Sequence, residues 1–212
     1  MREIKGGQNI MKIKKNDVIL FNGDSITDAL RDREDYYSLA GYSKFVSENL
    51  KHNVVCFNRG VGGDTALQVL NRLEAELNEI KPTVFSLLIG VNDTWRRFDS
   101  NEIITPEETY KNVEDILKLV RNYTDRIFIL EPFLLDVDIN KRCFREDLSP
   151  RIWYIRDLAR KYQCEFIPLN GIFAELSCKN DPSFYSYDGV HPTIEGHKII
   201  AKEILKRIIQ ED

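Results

Sequence analysis

The chain has 212 residues, 42% of them hydrophobic and 30% charged, with a formal charge of −4. That length reads as one domain with a substantial core of its own. The acidic balance and the lack of a large basic block argue against nucleic acid as the main partner. The run Lys12-Ile13-Lys14-Lys15 reads as a solvated face. No apolar run approaches the roughly 18 residues of a membrane span, and no early segment has the pattern of a secretory leader, so a cytoplasmic location is expected. The cysteines (Cys56, Cys143, Cys164, Cys178) lack a C-x-x-C spacing and read as free thiols.

Residues 1–12 are polar and aperiodic and are expected to form a loose extension before a domain at 13–212. Residues 18–21 (Val-Ile-Leu-Phe) are the first strand candidate. A helix follows near 39–50, with Leu39, Tyr42, Val46 and Leu50 on one face. Residues 54–57 make the second strand. Thr65 and Gln68 then have capping-box spacing before a stripe of Ala66, Val69, Leu70, Leu73, Leu77 and Ile80. Residues 84–89 form the third strand. Thr105-Pro106-Glu107-Glu108 opens a helix carrying Tyr110, Val113, Leu117 and Val120. Residues 127–130 form the fourth strand, and Ser149-Pro150 opens the next expected helix. Residues 166–169 form a fifth strand, placed at an edge because Pro168 lacks an N–H. A last helix begins at about Thr193.

Strands alternating with amphipathic helices predict a parallel sheet covered on both faces. The expected fold is α/β: a single-domain three-layer α/β/α sandwich whose five-stranded parallel sheet has the flavodoxin-like order 2-1-3-4-5. Ligands bind such sheets beyond the carboxyl ends of the strands, where the order reverses. Three loops should therefore meet there: Asn22 to Ser25, Asn58 to Thr65, and Gly90 to Asp93.

Ser25 in Asn-Gly-Asp-Ser-Ile-Thr suits a turn, but it is also a potential nucleophile that would need a base. Of three histidines, His52 reads as part of a surface turn and His197 as a core residue on a helix stripe. His191 lies in Tyr-Asp-Gly-Val-His-Pro, three residues after Asp188. On a tight loop that carboxylate can curl back to fix the imidazole tautomer. An ester mechanism also needs oxyanion donors, for which the Ser25 and Gly63 N–H groups and the Asn92 amide are candidates. Asp24 and Trp95, on the same loops, are candidate substrate contacts. The charged segment 27–37, the stretch 95–98 and the long loop 132–147 should overhang the crevice.

These blocks resemble the SGNH (GDSL-type) hydrolase family, matching it at Gly-Asp-Ser-Ile (23–26), Gly-Gly-Asp-Thr (62–65), Gly-Val-Asn-Asp (90–93) and Asp-Gly-Val-His (188–191). The matches come in the family's order, with Ile26 where many members have leucine. The resemblance implies Ser25 as nucleophile, His191 as base and Asp188 as its partner, with Ser25, Gly63 and Asn92 forming the oxyanion hole. It implies no cofactor or metal. The substrate would be a small-molecule or carbohydrate acyl ester, short-chain and most simply acetyl, because the form Gly-Asp-Ser-Ile-Thr-Asp with Arg31 is similar to bacterial esterases of acetylated sugars. Lysophospholipase and thioesterase activities remain open within the family. From other classes, a metal-dependent phosphoesterase using Asp24, Asp28, Asn92, Asp93 and His191 is weakened by the lack of matching histidine motifs, and a binding module without catalysis remains. The Gly-x-Ser-x-Gly elbow of α/β-hydrolases is absent, because position 27 is Thr. Oligomeric state is not legible.

Overall fold

The computed structural model describes residues 11–51 and 53–210, and the expectations for residues 1–10 and His52 lie outside that range. In chain order the strands are β1 (Met11–Ile13), β2 (Val18–Gly23), β3 (Val55–Gly60), β4 (Val84–Leu88), β5 (Ile127–Leu130), β6 (Glu165–Ile167) and β7 (Ile208–Gln210). The helices are α1 (Ser25–Asp28), α2 (Gly41–Glu48), α3 (Ala66–Ile80), α4 (Val91–Asp99), α5 (Pro106–Val120), α6 (Phe144–Lys161), α7 (Leu169–Ser177) and α8 (Ile194–Leu205).

Five strands form one sheet in the order β3-β2-β4-β5-β6, and every pairing is parallel. Counting only these strands, that is the expected 2-1-3-4-5. Neighbouring side chains on each strand enter opposite cores. Ile19, Phe21, Val84 and Leu88 join Tyr42, Val46, Ile200 and Ile204 of α2 and α8. Leu20, Phe85, Leu87 and Ile129 join Val69, Leu73, Val113 and Ile116 of α3 and α5. Burial on both faces is why these strands read as unbroken apolar runs. Among the described residues, no helix is long and apolar enough to cross a membrane.

The structure departs from the sequence reading in four places. Met11 and Lys12, read as part of a loose extension, belong to β1, which pairs with β7 in a separate two-stranded ribbon. Pro150 lies inside α6 rather than opening it. Phe144, Leu148, Ile152 and Ile155 continue one buried face across the proline, and that burial outweighs the lost N–H. The last core strand stops at Ile167, and Pro168 caps α7. Residues 91–93, read as loop, already form the first turn of α4.

Leu73 is fully buried between sheet and helix. Leu73→Ala should cost about 2–5 kcal/mol of stability in urea unfolding, whereas a loss under about 1 kcal/mol would place this face outside the core.

Candidate active site

The parallel register brings Gly23 beside Gly60 on one side and Leu88 on the other. The chain leaving all three strand ends therefore emerges at one point. A Cβ at Gly23 would sit 2.1 Å from the Leu88 carbonyl oxygen, so only glycine lets the strands close here. Asp24 follows as the N-cap of α1, its carboxylate accepting the Ile26 N–H at 2.9 Å. Ser25 is the first residue of that short helix.

Asp24, a candidate substrate contact by sequence, is 1% exposed. Burial pushes its carboxyl up to about 7, against the opposing pull of the Ile26 N–H and His191, with Asp93 and Asp64 adding to the rise. Its carboxylate caps the short helix that begins at Ser25.

Residues 186–192 close on themselves before α8. Ser186 and Pro192 form a bridge, Tyr187 N–H donates to the His191 carbonyl at 2.9 Å, and Ser186 Oγ donates to the same oxygen at 2.9 Å. Asp188 Oδ1 accepts the Val190 and His191 N–H groups at 3.0 and 2.8 Å, while Oδ2 lies 3.0 Å from His191 Nδ1. With the Nδ1 proton directed at Asp188, His191 Nε2 is left to accept from Ser25 Oγ, 3.0 Å away. Burial favours protonated Asp188, but the hydrogen bonds from the His191 ring, the two N–H groups and Lys141 outweigh it and hold the carboxyl below its ordinary range. The bond to Asp188 raises His191 above its ordinary value, against a smaller effect of burial.

The second wall is the glycine loop. Val61 N–H donates to the Gly23 carbonyl at 3.1 Å, and a Cβ at Gly62 would lie 3.9 Å from that of Ser25. Gly63 has φ +87°, the left-handed region that suits glycine. Neither Ser25 N–H nor Gly63 N–H donates to another group among the described residues. The Asn92 amide gives one proton to the Asp64 carbonyl at 2.9 Å, which leaves the other available. Trp95, one turn further along α4, has its ring centroid 5.8 Å from that of His191.

Two contributors escaped the sequence reading. Arg72 of α3 donates to Asp64 Oδ2 at 2.8 Å and to the Gly23 carbonyl at 3.0 Å, bracing the glycine loop against the serine turn. Lys141 reaches Asp188 Oδ2 at 3.0 Å. Neither position carries a local motif. His197 accepts the Tyr42 N–H at 3.2 Å, and burial lowers it to about 4, in keeping with a neutral core residue.

The carboxylates of the phosphoesterase alternative are engaged elsewhere. Asp28 meets Arg33 at 2.6 Å, and Asp93 accepts from the Ala66 N–H and Thr109 hydroxyl at 3.0 and 2.9 Å. Among the described residues, no three His, Cys, Asp or Glu side chains are gathered as a metal site would require.

Asp24 supplies a stability prediction. An unfolded aspartate loses its proton near 3.8 but the folded one keeps it to about 7, so folding takes up a proton in that window. The stability contributed there falls as pH rises through it. Asp24→Asn keeps an oxygen for the Ile26 N–H and cannot titrate. In urea unfolding, the variant should gain on the wild type between about pH 4 and 7 and the gap should then level off; a pH-independent gap contradicts the assignment.

The GDSL-like Lipase/Acylhydrolase family model matches residues 21–199. The chain is 26% identical to an acetylxylan esterase of Geobacillus stearothermophilus over 212 aligned residues, covering 93% of this chain and 96% of that one. Among solved structures, a GDSL-like lipase candidate from Parabacteroides merdae superimposes with a TM-score of 0.87 at 28% identity, covering 92% and 96% of the two chains. A mutant of an acetyl-xylooligosaccharide esterase from Geobacillus stearothermophilus gives 0.84 at 25%, covering 93% and 96%. The chain belongs to the GDSL-like lipase/acylhydrolase family and is a carboxylic-ester hydrolase of the SGNH type.

Proposed function

We propose that this chain removes acetyl groups from carbohydrate esters through a covalent acyl-serine. The observation that carries the reading is the line from Asp188 through His191 to Ser25, with 3.0 Å at each side-chain step. Ser25 Oγ attacks the ester carbonyl as its proton passes to His191 Nε2. Asp188 stays ionised and steadies the imidazolium. The Ser25 and Gly63 N–H groups and the free proton of the Asn92 amide receive the oxyanion. Collapse expels the sugar alcohol, which takes the proton from His191. Water, activated by the same imidazole, then cleaves the acyl-serine, releasing acetate and restoring Ser25.

The acetyl and carbohydrate assignment is supported by the acetylxylan esterase relative. It also fits the polar and aromatic groups near the serine: Arg33 lies near Gly62, and Trp95 lies against His191.

A fluorophosphonate probe should label wild-type Ser25, and Ser25→Ala should lose both labelling and turnover. An ester series crossing acetyl with octanoyl and sugar with glycerol should favour acetylated sugar. Preference for octanoyl glycerol esters would point to a lysophospholipase, and preference for acyl thioesters to a thioesterase. Asn92→Ala should lower kcat by about 10²–10³-fold, and near-normal turnover would remove Asn92 from the oxyanion hole. Because His191 must be neutral to act, kcat/KM should rise with pH through a midpoint above 6.5.

A further inference from the structure

Lys141 ends the short 3₁₀ turn Ile139–Lys141 in the chain between β5 and α6, and its side chain is only 13% exposed. Its ammonium lies 3.0 Å from Asp188 Oδ2, 3.2 Å from the Asp188 carbonyl oxygen and 3.4 Å from Asp138 Oδ2. Three acceptors match the three protons an ammonium offers. The same group sits 4.8 Å over the Trp95 ring, whose centroid is 5.8 Å from that of His191.

We propose that Lys141 is a positioning residue that fixes the Asp188 carboxylate and sets the proton affinity of His191. The catalytic meaning of this role rests on the reading of His191 as the base. Asp188 Oδ1 is already taken by two backbone N–H groups, so Oδ2 is divided between the imidazole and Lys141. A cation on that oxygen weakens its attraction for an imidazolium, and its own charge repels the imidazolium as well. The charged groups acting on His191 come from three places. Asp188 on its own loop and Asp24 at the start of α1 raise its affinity for a proton, and Lys141 lowers it. From α4, Trp95 is uncharged, and the Arg96 guanidinium turns to the Gly63 carbonyl and Asp99. Lys141 is thus the counterweight to two carboxylates. Holding a long side chain this deeply costs rotamer entropy and desolvation, which a plain surface lysine does not incur.

The catalytic loop has a second attachment, the Leu135 N–H donating to the Gly189 carbonyl at 2.8 Å, so the loop stays tethered when Lys141 is replaced. The test measures the His191 ring by NMR titration of histidine-labelled protein and the kcat/KM profile on p-nitrophenyl acetate, for wild type, Lys141→Met, Lys141→Arg and Asp138→Asn. Lys141→Met should move the ring midpoint to higher pH and carry the acid limb of kcat/KM with it. Lys141→Arg, which keeps the charge, should return both toward wild type. Asp138→Asn, at an exposed turn whose cap asparagine can maintain, should move the midpoint the other way by freeing Lys141 of its competing carboxylate. A ring midpoint unmoved in Lys141→Met, or raised in Asp138→Asn, overturns the proposal. If the ring moves and the kcat/KM limb does not, Lys141 keeps its role and His191 as base is the reading that fails.

Discussion

The site depends on how closely three strands approach at Gly23. With no side chain there, β2 lies against β4 so tightly that a methyl group would overlap the Leu88 carbonyl oxygen. This contact sets where the chain leaves β2, and hence where Ser25 stands relative to the ends of β3 and β4. Parallel strands with the same direction put all their carboxyl ends on one edge, and the reversal of order at β2 leaves a gap between the departing loops. Chemistry gathered in that gap inherits the rigidity of a sheet buried on both faces.

Charge near the serine is set by burial and by nameable neighbours, and the two act differently on each group. Asp188 accepts four donors from His191, Val190 and Lys141, which keeps it ionised despite burial. Asp24 accepts a single N–H and is almost fully buried, so burial wins and its carboxyl is pushed up to about 7. Two aspartates that both act on His191 are thereby driven in opposite directions. Asp24 is fully buried and receives one donor, whereas Asp188 keeps part of its side chain in solvent and receives four, so burial and donor number act together to separate them.

What the sequence could reveal followed the range of the interactions involved. Reciprocal capping of Thr105 and Glu108 and the Gln68 bond to the Thr65 N–H are local, and both were legible from spacing. The strand at Ile127–Leu130 was legible because burial on both faces leaves no polar alternation. The start of α4 was hidden because Gly90 caps it at positive φ without a side-chain bond, so no capping residue announces it. Pro150 misled for a related reason: a local start signal lost to an apolar face that runs through it. Asp188 and His191 share a loop and could be paired from spacing, and Ser25 joined them through its motif. Lys141 is 47 residues from Asp188, and Arg72 is 49 from Gly23. Contacts of that separation exist only once the sheet has formed.

Arg72 shows how the two walls of the crevice become one rigid unit. It holds the Gly23 carbonyl, immediately before the serine turn, and the Asp64 carboxylate, immediately after Gly63. The Asp64 carbonyl in turn holds the Asn92 amide. The three groups proposed to receive the oxyanion therefore hang from one chain of hydrogen bonds, set before any substrate arrives. Donors in water must reorient as negative charge develops, and that reorganisation adds to the barrier. In the proposed role, donors already fixed by Arg72, Asp64 and the end of β2 would need little such motion, and their dipoles would act at full strength as the charge appears. The structural work of the fold and the electrostatic work of the site are then done by the same bonds.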